Sequence, residues 1–388
     1  MKKVVTLVVI TLFLLSILMA CAPKTASPST VPTTASVTPA AATTTPSPVT
    51  PKPATPSVSA ADAEWAKVLE AAKKEGKVTL YTYLFGAQLS KVTETAFHEK
   101  YPDIELEWVP LSTAVRVERI KTETRMGNYI ADTSDGSPAF QVNLKKEGLT
   151  QSLGNLPSTK DSSWLDSPVL DKEGHIVSFT VSIATMWMNT TLVTPGEEPQ
   201  SLNALLNPKW KGKIIIAEPA TSNTCSRFYT MYTRRNVVND EYFQKLGPQL
   251  KFVTGSTRDS TMALARGEAP LAWGDSLEGN PLVEKGAPIK PIAIEEGVLG
   301  TGTTISLLKN APHPNATRVF VNWLVSREGQ TALGKGQSTS SWRTDVPDFS
   351  PAGAQIKWKK ILQASIEDTI AIDENFSSRK LVDMWGRK

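Results

Sequence analysis

Short apolar runs of strand length alternate with segments whose apolar residues recur every three to four positions, a rhythm that predicts an α/β fold with largely parallel sheets. The first helix is expected from a cap at Asp62, with Trp65, Val68, Leu69 and Ala72 on one face and a stop at Gly76, and residues 78–81 follow as a strand. A second helical stripe carries Leu89, Val92, Ala96 and Phe97, and Ile104, Leu106 and Trp108 alternate with acidic residues as a strand with one wetter face. A helix is expected over 112–126, with Arg116, Arg119 and Arg125 on it, and a strand over 130–132. Residues 133–137 then form a loop leading into a helix that has Pro138 at its first position.

The apolar stretch 175–188 is longer than one short strand needs, and we read it as a strand leaving a first lobe and crossing to a second. Residues 186–220 give the end of that strand, a short helix from the cap Ser201, the turn Asn207-Pro208-Lys209-Trp210-Lys211-Gly212-Lys213, and a buried strand over 214–217. Further on come helices around Phe228, Tyr229 and Tyr232 and around Tyr242 and Phe243, a strand before Gly255, a helix ending at Arg266-Gly267, and a strand over 269–274. The chain returns through 289–294 and 303–308, then forms a helix striped with Val319, Phe320, Trp323 and Leu324. Helices near 354–364 and 374–385, bearing Ile361, Leu362, Phe376, Leu381 and Trp385, are expected to pack on the body without contributing chemistry.

Composition adds the setting. Lys2 and Lys3 precede an apolar run ending at Ala20, a secretory-signal pattern. Residues 22–60 are almost wholly Pro, Thr, Ser, Ala and Val, which cannot bury enough surface to offset chain entropy and should act as a tether. The net charge of +4 is mild and no basic run is interleaved with aromatics, so nucleic acid is not an expected partner. With Cys21 and Cys225 the only cysteines, Cys225 has no disulfide partner once Cys21 is modified, and the body is held by its core alone. Widely separated histidines, His98, His175 and His313, give no zinc spacing, and neither a metal nor a cofactor is expected. Gly274-Asp275-Ser276-Leu277 spells a GDSL string, but it lies deep in the chain and no histidine has the companion Asp such a hydrolase uses; an exported hydrolase acting through Ser276 stands as an alternative from another class.

Four passages carry a resemblance. Leu18-Met19-Ala20-Cys21 resembles a bacterial lipobox, implying cleavage before Cys21 and a lipid anchor on its sulfur. The wording of 186–220 and that of 309–330, with Ala311-Pro312-His313-Pro314-Asn315-Ala316 followed by Ser326-Arg327-Glu328-Gly329-Gln330, are similar to the solute-binding proteins of bacterial ABC importers, in the iron(III)-binding branch. The passage around Trp65 and 71–81 agrees. The resemblance implies a two-lobed type II periplasmic-binding-protein fold with two hinge-crossing strands. It divides the chain into a signal (1–20), a lipidated tether (21–60), lobe one (61–180), lobe two (181–292), a return to lobe one (293–345) and C-terminal helices (346–388). It also implies a protein that binds rather than catalyses, anchored on the extracytoplasmic face of the cell membrane. Such a protein delivers a small anionic or polar solute to an ABC permease and is expected to be a monomer. A lipoprotein that keeps the fold as a scaffold without transport is a third reading.

In open α/β sheets ligands sit beyond the carboxyl ends of strands, where helix N-termini offer free N–H groups. Candidates on that rule are Thr82, Tyr83, Ser134, Asp135 and Ser137 in lobe one; Ser222, Asn223, Ser256, Trp273 and Asp275 in lobe two; and Arg343 beyond the return helix. Each has an ordinary explanation beside the functional one: Ser222 and Ser256 as helix caps, Asp135 as a turn closer, Arg343 as a surface charge. Ferric members of the resembled family typically use an adjacent tyrosine pair. This chain has no Tyr-Tyr, and Tyr229 and Tyr232 have the spacing of helix packing neighbours. Ferric iron is therefore the alternative cargo and a small anion or polar solute the main one.

Overall fold

The computed structural model describes residues 60–386 apart from 166, 254, 352–353 and 355–359. The expected signal, Cys21 as the expected lipidation site, and the expected tether as far as residue 59 lie outside the described residues.

Helix α1 (Ala60–Glu75) buries Val68 and Ala72 and stops at Gly76, whose φ of +67° is the left-handed conformation that suits glycine. Strand β1 (Lys77–Thr82), helix α2 (Ala87–His98), strand β2 (Glu105–Pro110) and helix α3 (Thr113–Met126, ended by left-handed Gly127) follow. Strand β3 (Thr133–Gly136), helix α4 (Pro138–Lys146), strand β4 (Thr150–Gln151) and strand β5 (Val177–Ser178) complete the first pass. β2, at the sheet edge, shows the expected half-wet alternation, whereas β1, between β2 and β3, is buried along nearly its whole length.

The expected strand at 130–132 lies three residues later, at β3, so the predicted loop 133–137 is mostly strand. Its sequence, Thr-Ser-Asp-Gly, is polar, yet all four residues are buried because each side chain finds a partner. Thr133 donates to the Ser306 carbonyl at 2.8 Å, Ser134 to the Tyr81 carbonyl at 2.9 Å, and Asp135 pairs with Arg116. A central strand can dispense with apolar side chains when its hydroxyls and carboxylate are satisfied.

The chain then enters a second sheet through strand β6 (Ser182–Asn189), buried throughout. Where a helix was expected after Ser201, a single 3-10 turn, Asn203–Leu206, forms instead. Strand β7 (Ile214–Ala217), helix α5 (Thr224–Thr233), helix α6 (Asp240–Leu246), strand β8 (Leu250–Val253) and helix α7 (Thr257–Ala265) lead to strand β9 (Leu271–Asp275). Helix α8 (Ser276–Glu284), strand β10 (Ile289–Pro291) and strand β11 (Val298–Thr301) precede the return strand β12 (Thr304–Leu308). Helices α9 (Pro314–Leu324) and α10 (Arg327–Gln337) then cover lobe one, α9 against α1 and α10 against α2. Phe97 meets Phe320 and Trp323 edge-on at 5.4 and 5.3 Å in that core.

Strand β13 (Ile361–Gln363) occupies part of the stretch expected to be a helix, and helices α11 (Ile366–Ser377) and α12 (Lys380–Met384) end the described chain. β13 pairs in parallel with β11 and sends Leu362 into the lobe-two core, so burial against a ready sheet edge overrides helix propensity there.

Among the described residues, lobe one holds a sheet ordered β2-β1-β3-β12-β4 with β5 on β12, and lobe two a sheet ordered β13-β11-β6-β9-β7-β8 with β10 on β6. The β5–β6 and β11–β12 passages cross between the sheets side by side. Thr301 registers with Ser182 and Thr304 with Ser178, while the Phe179 amide donates to the Thr303 carbonyl at 3.0 Å and the Thr303 amide to Thr180 Oγ1 at 2.8 Å. Between them sits Gly302, where a Cβ would fall 2.2 Å from the Thr180 carbonyl oxygen. α10 packs on lobe one and β13 joins the lobe-two sheet, so the chain changes lobe once more between them.

Candidate ligand cleft

A cavity of about 270 Å³ opens beside the two crossing strands, walled by Tyr83, Ser137 and Pro138 from lobe one and by Asn223, Arg227, Asp275 and Leu277 from lobe two. Ser182, Thr301, Gly302 and Thr303 of the crossings line it as well, and α11 adds Thr369, Ile372 and Asp373.

The lobe-one wall is built on a buried ion pair. Arg116, on α3, places Nη1 2.9 Å from Asp135 Oδ1, and both side chains are fully buried. Asp135 also accepts from the Thr82 hydroxyl, the Tyr83 amide (3.0 Å) and the Leu84 amide (3.3 Å), which fixes the loop leaving β1. Burial pushes the Asp135 carboxyl up and the Arg116 guanidinium down, and these hydrogen bonds and the mutual attraction oppose both shifts. Tyr83 lies over the guanidinium at 5.2 Å and Phe140 at 4.5 Å, and the Tyr83 hydroxyl is 3.3 Å from that of Thr303. Desolvation by its neighbours raises the Tyr83 phenol, although half of the residue stays exposed to the cleft.

Three helix N-termini reach the cavity. Ser137 caps α4 by accepting from the Phe140 amide at 3.2 Å. Asn223 occupies the cap position of α5, yet its side chain makes no capping bond and lines the cavity. Asp275 caps α8 through the Leu277 amide at 2.8 Å, and its Oδ2 is 3.8 Å from Nη1 of Arg227 on the first turn of α5. Among the described residues Arg227 is the one cation of the lining. Ser182, 3 % exposed, carries a hydroxyl with no hydrogen-bond partner among them.

Of the residues expected from sequence, then, Tyr83, Ser137, Asn223 and Asp275 meet at the cavity. Thr82, Ser134 and Asp135 lie beneath it as supports, because the β3 shift puts the last two inside the sheet. Ser222 bonds Thr224 at 2.8 Å, and Thr224 in turn bonds Thr257 at 2.7 Å, tying α5 to α7 outside the lining. Ser256 makes a capping box with Asp259. Trp273 is a core residue, 1 % exposed and stacked on Phe228 at 4.1 Å, so it offers no stacking surface. Arg343 is buried rather than a surface charge, held by Asp345 (2.9 and 2.8 Å) and Asp161 (2.6 Å) away from the cavity.

Sequence reasoning passed over Arg227, Ser182 and Asp373. Arg227, four residues beyond a capping position, carried a signal that could have been used: a cation in the first turn of a helix opposes the dipole and asks for a reason. Nothing local marks Asp373, since only tertiary packing brings α11 to the cleft.

Ser276 accepts a hydrogen bond from the Ile183 amide at 3.0 Å, while His98, His175 and His313 are engaged in lobe one with Ile104, Thr150 and Asp132 respectively. The tyrosines of α5 are also spoken for: Tyr229 donates to Asp240 at 2.5 Å and Tyr232 to the Gly297 carbonyl at 2.7 Å. No group of three or more His, Cys, Asp or Glu side chains that could hold a metal ion occurs among the described residues.

Two lobes on separate sheets, joined by side-by-side crossings with a cavity beside them, have the architecture of a solute receptor. Residues 133–362 match the family model of bacterial extracellular solute-binding proteins, and the chain belongs to that family. It is similar to an uncharacterized protein of Haemophilus influenzae, 23 % identical over 326 residues, covering 81 % of this chain and 91 % of the relative. Its fold is similar to that of the periplasmic binding protein AfuA from Actinobacillus pleuropneumoniae, solved with fructose 6-phosphate bound (TM-score 0.57, 23 % identity, 79 % of this chain and 99 % of the other). It is also similar to a Trichodesmium protein, IdiA or FutA, solved with iron and citrate (TM-score 0.63, 17 % identity, 81 % and 100 % covered). The fold is thus that of the type II periplasmic binding proteins, and the working domain is extracytoplasmic.

Proposed function

We propose that this protein captures a small organic anion between its lobes and presents the complex to an ABC permease, without catalysing a reaction. The observation that carries this is the meeting of the α4, α5 and α8 N-termini with Arg227 at one cavity. The positive ends of helix dipoles and a guanidinium together stabilise an anionic group. The Tyr83–Thr303 hydroxyl pair has one hydrogen left to donate, and Ser182 has an unused one.

Ferric iron is the second candidate, since the Trichodesmium protein is similar in fold and was solved with iron and citrate. The cation Arg227, 3.8 Å from Asp275, disfavours a trivalent cation at that carboxylate, and the tyrosines of α5 point elsewhere. In the proposed setting the lipidated Cys21 would hold a monomeric receptor at the membrane, with residues up to 60 as the tether.

Differential scanning fluorimetry with inorganic phosphate, sugar phosphates, sugar acids, dicarboxylates and ferric citrate tests the reading. An anion at about 100 times its Kd adds about 2.7 kcal/mol, a rise of about 4 °C for a body of this size. The rise should vanish in Arg227→Gln. Stabilisation by ferric salts alone, unaffected by that substitution, would replace the anion with iron.

A further inference from the structure

We infer that Asp373 of α11 sets the selectivity of the cleft, so that the solute is an anion bearing hydroxyl or ammonium donors rather than a bare inorganic anion. The inference rests on the anion reading above.

Helix α11 is fastened to lobe two. Asp368 pairs with Arg234 (2.9 Å) and Arg235 (2.7 Å), and Asn375 donates to Thr230 at 2.9 Å. Its other flank faces α4 of lobe one across a groove lined by Asn143, Lys146, Asp373 and Glu374. Asp373 therefore stands where the groove meets the cleft and lines both. It is half-buried, and among the described residues no hydrogen bond or ion pair engages its carboxylate; burial alone pushes that carboxyl up.

The charge of the lining makes this carboxylate matter. Arg227 is one cation against two carboxylates, Asp275 and Asp373, and it already lies near Asp275. A multiply charged inorganic ion filling the cavity would leave Asp373 facing like charge. A carboxylate only accepts hydrogen bonds, so its complement is a donor on the solute, and closing the lobes over an unpaired carboxylate is costly. A solute with its anionic group at the α5 N-terminus and donors elsewhere meets both demands, and the unpaired Ser182 hydroxyl provides a further polar contact.

Isothermal titration of the protein with glucose 6-phosphate, gluconate and inorganic phosphate, in wild type, Asp373→Asn and Arg227→Gln, tests the assignment. At least one of the hydroxylated anions should bind at least tenfold more tightly than inorganic phosphate. Asp373→Asn should weaken that anion about 10- to 100-fold, the range for hydrogen bonds to a charged group, and leave inorganic phosphate equal or tighter. Arg227→Gln should weaken all three. If Asp373→Asn leaves the hydroxylated anions unchanged while Arg227→Gln weakens them, the role of Asp373 is overturned and the anion reading survives. If no anion binds, or Arg227→Gln changes nothing, the anion reading falls and takes this inference with it. Circular dichroism confirms folding, with Asp373→Ser serving where the Asn variant fails to fold.

Discussion

Replacing Arg116 with methionine isolates the ion pair beneath the cleft. Asp135 would keep its bonds from Thr82 and the Tyr83 and Leu84 amides but would lose the counter-charge of Arg116 within a fully buried site. Removing one member of a buried pair costs about 3–5 kcal/mol, because the other charge stays buried without compensation. For a body of about 330 residues the unfolding entropy is roughly 0.7 kcal/mol/K, so Tm should fall by about 4–7 °C. The pH dependence follows from the carboxyl. Burial already raises Asp135 above its unfolded value, and losing Arg116 raises it further. A group raised in the folded state contributes stability below its unfolded pKa and loses it as pH rises through the folded value. The deficit of Arg116→Met should therefore be largest at neutral pH and shrink as pH falls toward about 4, the ordinary carboxylate range. Guanidinium unfolding at both pH values measures it, and Arg116→Met combined with Asp135→Asn should recover part of the loss. A deficit below about 1 kcal/mol that does not change with pH would show that the pair behaves like an exposed one and refute the reasoning.

Gly302→Ala should destabilise by about 1–3 kcal/mol by driving the crossing strands apart at the Thr180 carbonyl, and should alter solute affinity too; melting with and without solute reads both. Trp273→Ala should cost about 3–5 kcal/mol of stability by emptying the core beside Phe228, while the folded fraction keeps its affinity; a selective loss of binding would restore Trp273 as a ligand contact. Asp161 is pulled down to about 2 by Arg343, so its stabilising pairing is present above the ordinary Asp range and lost as pH falls toward 2. Acid unfolding should accordingly begin at higher pH in Asp161→Asn, and an unchanged midpoint would contradict the pairing.

The α/β class, the long helices of lobe one and the two crossings were legible because each rests on a local signal: the stripe of Val319, Phe320, Trp323 and Leu324, or the long apolar stretch around β6. The lining of the candidate cleft was legible only where a strand end or a helix cap reveals itself, as at Tyr83, Ser137, Asn223 and Asp275. Ser134 and Asp135 went to the wrong side of the sheet because β3 is held by hydrogen bonds and an ion pair instead of apolar burial, which periodicity cannot detect. Trp273 and Arg343 carry chemistry that suits a site and sit in places that do not, since Phe228, which stacks on Trp273, and Asp161, which joins Asp345 in pairing with Arg343, are contacts that no sequence pattern announces. β13 and α11 were hidden for a related reason: the sheet edge and the cleft that receive them are assembled by distant parts of the chain.

The attachment of α11 to lobe two, with its other flank toward α4 of lobe one, makes the pair a built-in ruler. Because the two helices ride on different lobes, any change in the angle between the lobes alters the gap between exposed Lys146 and Glu374. Cys225 is buried, donates to the Ala217 carbonyl and has its thiol pushed up, so it would stay silent toward labelling reagents. With Cys21 replaced, cysteines introduced at 146 and 374 could carry a dye pair whose signal reports occupancy in real time, turning the receptor into a sensor for its own solute before that solute has been identified.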